Sequence, residues 1–150
     1  MKAGIKIKAA TLADLKVVSS LLQDAAFKVG DMAYLPSRHR FAFVANRFRW
    51  EKEVLFDKKK KDKKLYQRIR SGLRFEGVLE ANFMNLPMSD KAHVLSLLSI
   101  EGKKNKGGFA LTLIFSGNIA IRLKTEILEV YLDDITGPWA TKNKPEHPVA

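Results

Sequence analysis

Alternation opens the chain: Ile5 and Ile7 are interleaved with Lys6 and Lys8, the period of a half-buried strand over Gly4 to Ala10. Thr11 stands three residues before Asp14, so its hydroxyl can accept a backbone N–H at a helix start while the carboxylate favours the positive helix end. Leu15, Val18, Leu22, Ala25 and Val29 follow at three- and four-residue steps and predict a helix from Leu12 to Lys28, stopped at Gly30.

Met32 to Leu35 and Arg40 to Trp50 then predict two strands joined by a turn at Pro36 to His39. In the second, Phe41 and Phe43 share one face and Phe48 and Trp50 the other, so this strand is either central or bulged near Asn46. Its end alternates Arg47 and Arg49 with Phe48 and Trp50, setting two guanidinium groups against two rings. Gly72 to Asn82 keeps one parity apolar, with Gly77 marking a bulge. His93 to Ile100, Phe109 to Phe115 and Ile119 to Leu123 complete four successive strands with short links, which predicts an antiparallel meander. Ile127, Val130, Tyr131 and Ile135 fit one face of a helix over 125–135, although Asp133 and Asp134 oppose its dipole.

The expected fold is therefore α+β: a curved antiparallel sheet or partial barrel of six to seven strands, covered by the N-terminal helix and a C-terminal helix, and arranged like a pleckstrin-homology roll. The expected core is Leu15, Val18, Leu22, Phe43, Leu97, Leu111, Leu113, Ile121 and Leu123. A length of 150 residues suits one domain, 1–150, with a basic loop at 57–70 and an extended tail at 137–150.

Charge changes this picture locally. The net charge is +11, and residues 57–70 carry 8 basic and 2 acidic side chains while residues 71–150 are balanced at 9 and 9. Lys58, Lys59, Lys60, Lys61, Lys63 and Lys64 crowd into one short run, followed by Arg68 and Arg70. Such a run is either a solvated loop or an arm that releases counterions from a phosphate backbone without reading bases. The anion-binding candidates are these eight residues, and the expected partner is RNA or another polyanion, bound non-specifically. The alternative is a protein-interaction or scaffold role with Arg47, Trp50 and Trp139 on the partner surface and the lysines only solubilising. A third reading gathers Arg47, Arg49, Arg74 and Arg122 around a carboxylate or phosphate.

Other chemistry is thinly represented. With no cysteine, thiol nucleophiles, thiolate zinc sites and disulfides are excluded. No phosphate-cradling glycine loop, His-Glu-x-x-His or Gly-x-Ser-x-Gly occurs, and Gly107 with Gly108 reads as a hairpin. His39, His93 and His147 are far apart in sequence, and the pairs Asp133/Asp134 and Glu126/Glu129 suit acid–base work only if buried or brought together. The expectation is a non-enzymatic protein without metal or cofactor. No apolar run approaches the roughly 20 residues of a membrane-spanning helix, and the expected compartment is the cytoplasm.

Phe41-Ala42-Phe43-Val44 matches part of the aromatic strand of the RNA-recognition motif, but Arg40 and Asn46 stand where that motif has a glycine and an aromatic, so core packing is expected for both rings. A wider likeness runs over nearly the whole chain. Gly30 to Pro36, Arg40-Phe41-Ala42, Asn46-Arg47-Phe48 with Trp50-Glu51, Val94 to Leu98, Ile121-Arg122-Leu123 and Pro138-Trp139-Ala140-Thr141 with Pro145, His147 and Pro148 resemble an uncharacterised family of small alphaproteobacterial proteins. The resemblance implies a bacterial, cytoplasmic, single-domain protein and carries over no catalytic residue.

Overall fold

The computed structural model describes residues 4–50 and 67–135 and the short strand at 139–140. Among the described residues, eleven strands and one α-helix follow in the order β1 (Lys6–Ala9), α1 (Leu12–Leu21), β2 (Ala26–Lys28), β3 (Ala33–Leu35), β4 (Arg40–Phe48), β5 (Gln67–Glu76), β6 (Val78–Met84), β7 (Val94–Asn105), β8 (Gly108–Phe115), β9 (Ile119–Thr125), β10 (Val130–Asp134) and β11 (Trp139–Ala140). Short 3-10 turns at Val29–Asp31 and Pro36–Arg38 flank β3. The spatial order is β1-β10-β5-β4-β2-β7-β8-β9-β6, with β3 added to β4 and β11 to β5. Every pairing is antiparallel. The class is α+β, and the sheet is open, with β1 and β6 at its two ends.

All nine residues expected in the core are at most 2 % exposed. Phe27 joins them at the centre, edge-on to Phe43 and Phe115 with ring centroids 5.1 and 5.6 Å away, the geometry that sets a positive ring edge against a negative face. Phe41 and Phe43 are 1 % and 2 % exposed, so neither is available to stack on a base. The helix cap forms as the Thr11–Asp14 spacing requires: the Asp14 N–H donates to Thr11 Oγ1 at 3.0 Å and the Ala10 N–H to the Asp14 carboxylate at 3.1 Å. The Ala10 N–H foremost, with hydrogen bonding from Thr11 to the carboxyl, holds Asp14 below its usual value.

Three expectations are corrected. First, α1 ends at Leu21, not Lys28. Asp24 takes a left-handed conformation, its N–H donating to the Leu97 carbonyl, and the chain turns into β2 between β4 and β7. Ala25, Phe27 and Val29 are indeed buried, but by strand alternation: Ala25 and Val29 lie four apart, a spacing common to both periods.

Second, the C-terminal helix is replaced by β10: Leu128 just before it and Val130 and Leu132 within it are buried, while Ile127 and Ile135, assigned to the helical face, are exposed. With that helix the pleckstrin-homology arrangement also falls, and eleven strands replace six or seven. Third, Gly72 to Asn82 is not one strand. Gly77, at φ 69°, breaks it between β5, which pairs with β4, and β6, which pairs with β9, so β6 to β9 form a Greek-key-like set instead of a meander. Of the two readings of β4, the central strand holds and the bulge near Asn46 does not. β4 runs in unbroken register with β5 from Arg40↔Glu76 to Phe48↔Arg68 and has rings on both faces because it is central. No described helix is long and apolar enough to cross a membrane.

Candidate anion-binding face

β4 and β5 position opposite chemistry on their two sides. On the inner side Phe41, Phe43, Ala45 and Arg47 follow one another, and the last is fully buried despite its charge. Arg47 Nε and Nη2 donate to Asp134 Oδ1 and Oδ2 at 3.0 and 2.9 Å, and Nη1 donates to the Phe48 carbonyl. Asp134 also accepts from Ser71 Oγ at 2.5 Å and from the Ile5 N–H at 2.8 Å. Burial alone raises the Asp134 carboxyl, but the hydrogen bonds from Arg47, Ser71 and Ile5 and the Arg47 charge outweigh it and hold the group below the ordinary carboxylate value. Arg47 thus has no surface to offer a partner, and Arg49 beside it is 6 % exposed.

On the outer side, cross-strand neighbours build two sets of charges. At one end Arg40 Nε and Arg74 Nε both donate to Glu76, Arg74 lies 4.2 Å over the Tyr131 ring, and Tyr131 Oη donates to Glu129 through a short hydrogen bond. That bond, more than burial, raises the Tyr131 hydroxyl above its usual value. These cations are satisfied within the protein. Arg122 lies on the exposed side of β9, so the four-arginine site made of Arg47, Arg49, Arg74 and Arg122 is not assembled.

At the other end Arg68 lies opposite Phe48, its guanidinium 4.2 Å from the ring centroid, and Phe48 in turn sits 5.2 Å from Trp50, whose Nε1 donates to the Gln23 carbonyl. Arg68 Nε is buried without a hydrogen-bond acceptor, and no carboxylate among the described residues pairs with it. Burial pushes this guanidinium down from its ordinary value, the mark of a cation partly stripped of water. One step along, Arg70 stands opposite Asn46 and joins Ala26, Lys28, Asp31, Val44, Ala45 and Val94 around an open cleft of about 340 Å³. No sequence signal pointed to this cleft, because its lining comes from β2, β4, β5 and β7 and the turn before β3.

Arg68 and Arg70, expected in a loop, are strand residues of β5. Lys58, Lys59, Lys60, Lys61, Lys63 and Lys64 lie outside the described residues, as do the Trp139 side chain and His147; the Trp139 backbone pairs with Arg68. The lysines belong to the segment joining β4 to β5, so that segment is anchored at the Phe48–Arg68 pair. His39 contacts the Val78 carbonyl and His93 faces Asp90 at 3.8 Å on the surface, while strand alternation sends Asp133 and Asp134 to opposite faces. Among the described residues no three metal-ligating side chains come together.

No curated protein and no solved structure matches the chain. A family model described as "Protein of unknown function (DUF2948)" matches residues 5–147, nearly the full length, and the chain belongs to that family.

Proposed function

We propose that the protein is a non-enzymatic binding module of the bacterial cytoplasm whose outer sheet face and lysine-rich segment together hold a polyanion, single-stranded RNA being the best fit. The observation that carries this reading is Arg68: a half-buried guanidinium stacked on Phe48, its Nε without an acceptor, at the root of a segment with seven lysines. A cation in that state is stabilised when a phosphate arrives, because the anion supplies the missing acceptor and the charge compensation. Arg70 and Lys28 extend the positive surface from that point into the cleft. Lysines supply salt-sensitive affinity, and the strand arginines, fixed by the sheet, supply position.

The test is retention of RNA at low salt by the purified chain. Binding should fall steeply with salt and be greatly weakened when the lysines from Lys58 to Lys64 are changed to Gln; equal binding by that variant refutes the reading. A protein-interaction role loses one of its three expected residues to burial at Arg47. It is favoured instead if a co-purifying protein depends on Trp139 and is indifferent to the lysine changes.

A further inference from the structure

The cleft beside Arg70 has properties that charge alone does not use. Ala26, Val44 and Val94 contribute apolar groups to its lining. Asn46 stands in its wall, and the carboxamide oxygen of Asn46 is buried without a hydrogen-bond donor. Leaving such an acceptor dry and unpaired is unfavourable, so a ligand that brings a donor is bound at an advantage. The rim carries two cations, Lys28 and Arg70, and one carboxylate, Asp31. That combination suits a molecule with an anionic end, hydroxyl donors and a flat ring.

We propose that this cleft is a pocket for one unpaired adenine nucleotide. A volume near 340 Å³ lies at the small end of ligand pockets, which run from about 300 to 1,000 Å³, and so fits one nucleotide instead of a large cofactor. The ring lies against Ala26, Val44 and Val94, and its edge meets the Asn46 carboxamide, which turns its oxygen toward the cleft. Adenine sets its N6 amino donor beside an acceptor on two edges, at N7 and at N1, and a carboxamide completes either pattern with its own oxygen and N–H. Arg70 and Lys28 take the phosphate, and Asp31, which repels phosphate, accepts from the ribose hydroxyls. A base inside a duplex cannot enter such a pocket, so the site selects single strands.

This inference rests on the polyanion reading for its phosphate contacts, and one experiment separates the two. Fluorescence anisotropy of the full chain is measured with labelled single-stranded oligo(A) and oligo(U) of equal length, with AMP as competitor. Oligo(A) is expected to bind about tenfold more tightly than oligo(U). Asn46→Ala should bring that ratio to one while leaving oligo(U) affinity and its salt dependence unchanged. Ala26→Leu, which fills the cleft from a partly exposed position, should also bring the ratio to one. Displacement of oligo(A) by AMP shows that the pocket accepts the free nucleotide; an adenine preference that AMP does not compete away shows that it needs a strand, and both support the assignment. Equal binding of the two RNAs by the parent chain, or an unchanged ratio in Asn46→Ala, overturns the pocket while salt-dependent binding still supports the proposed function. Absence of binding to either RNA at low salt overturns both.

Discussion

Arg47 and Asp134, 87 positions apart in sequence, form a two-pronged ion pair whose side chains are 0 % and 1 % exposed. The pair closes the inner face where the apolar run of β4 ends, and through Asp134 it ties together β4, β5, β10 and the chain entering β1. Two charges removed from water are tolerated only when each is the other's partner and the remaining donors and acceptors are satisfied.

Removing both partners should therefore cost less than the sum of removing each alone. Arg47→Met and Asp134→Leu are each expected to destabilise the fold by about 3–5 kcal/mol, because each leaves a buried charge uncompensated. The double variant should be less destabilised than the sum of the two by at least about 1 kcal/mol. It will not recover fully, since Ser71 and the Ile5 N–H still lose their acceptor. Urea unfolding of the three variants measures the coupling, and strict additivity would mean that the pair is not one unit.

The same pair fixes how stability responds to acid. The Asp134 carboxyl is held below its ordinary value in the folded protein, so the unfolded chain binds its proton first as pH falls. The stabilisation is fully present above the ordinary carboxylate value and is lost as pH drops through the lower, folded value. Asp14 acts in the same direction from the surface, where screening leaves it little weight. Urea midpoints should thus be flat from neutral pH down to about 5 and fall steeply below about 4. Asp134→Asn should flatten that fall, and an unchanged slope would assign the acid sensitivity elsewhere.

Arg47 also shows what a single sequence reveals and what it hides. Its position on the Phe41–Phe43 parity, and that of Asp134 on the Val130–Leu132 parity, are visible in the alternation, but they signal a buried pair only if 125–135 is read as a strand. That stretch also fits a helical face, and the contacts that decide between the two come from β1 and β5, far away in sequence. Thr11 and Asp14 identified the start of α1 because capping is local. Its end was hidden, because Ala25 and Val29 satisfy both periods. β7, β8 and β9 were legible because the turns between them are short, whereas β6 pairs with β9 across all of β7 and β8. The basic segment stood out by composition alone. The cleft, assembled from separate strands, had no local trace.

Glycine at the β7–β8 hairpin offers a paired test of local geometry. Gly108 has φ 147°, and a Cβ added there would lie 2.1 Å from the Thr125 carbonyl oxygen, which belongs to the backbone and cannot swing away. Gly108→Ala should destabilise by more than about 1 kcal/mol, whereas Gly107→Ala, with open space around its Cβ, should stay within about 0.5 kcal/mol. Thermal unfolding of both variants distinguishes them, and equal midpoints would show that the hairpin rearranges freely.

Arg68 and Arg70 differ from the lysines in being held by β5, and this separates their expected effects on binding. Each arginine that contacts a phosphate of single-stranded RNA contributes roughly 0.7 to the slope of log affinity against log salt. Arg68→Gln and Arg70→Gln should each lower affinity and reduce the slope by about that amount, while Arg122→Gln, on the exposed side of β9, should leave both unchanged. Phe48→Leu tests the stack directly: it removes the ring beneath Arg68 without touching a charge, so affinity should fall with the slope retained, provided the guanidinium still reaches phosphate. Changing the lysines to Gln should lower the slope further and to a similar degree for every RNA sequence, as expected of contacts that sense the backbone only. If the slope responds to Arg122 as strongly as to Arg68, positive charge acts through the whole surface and the β4–β5 face has no special part in binding.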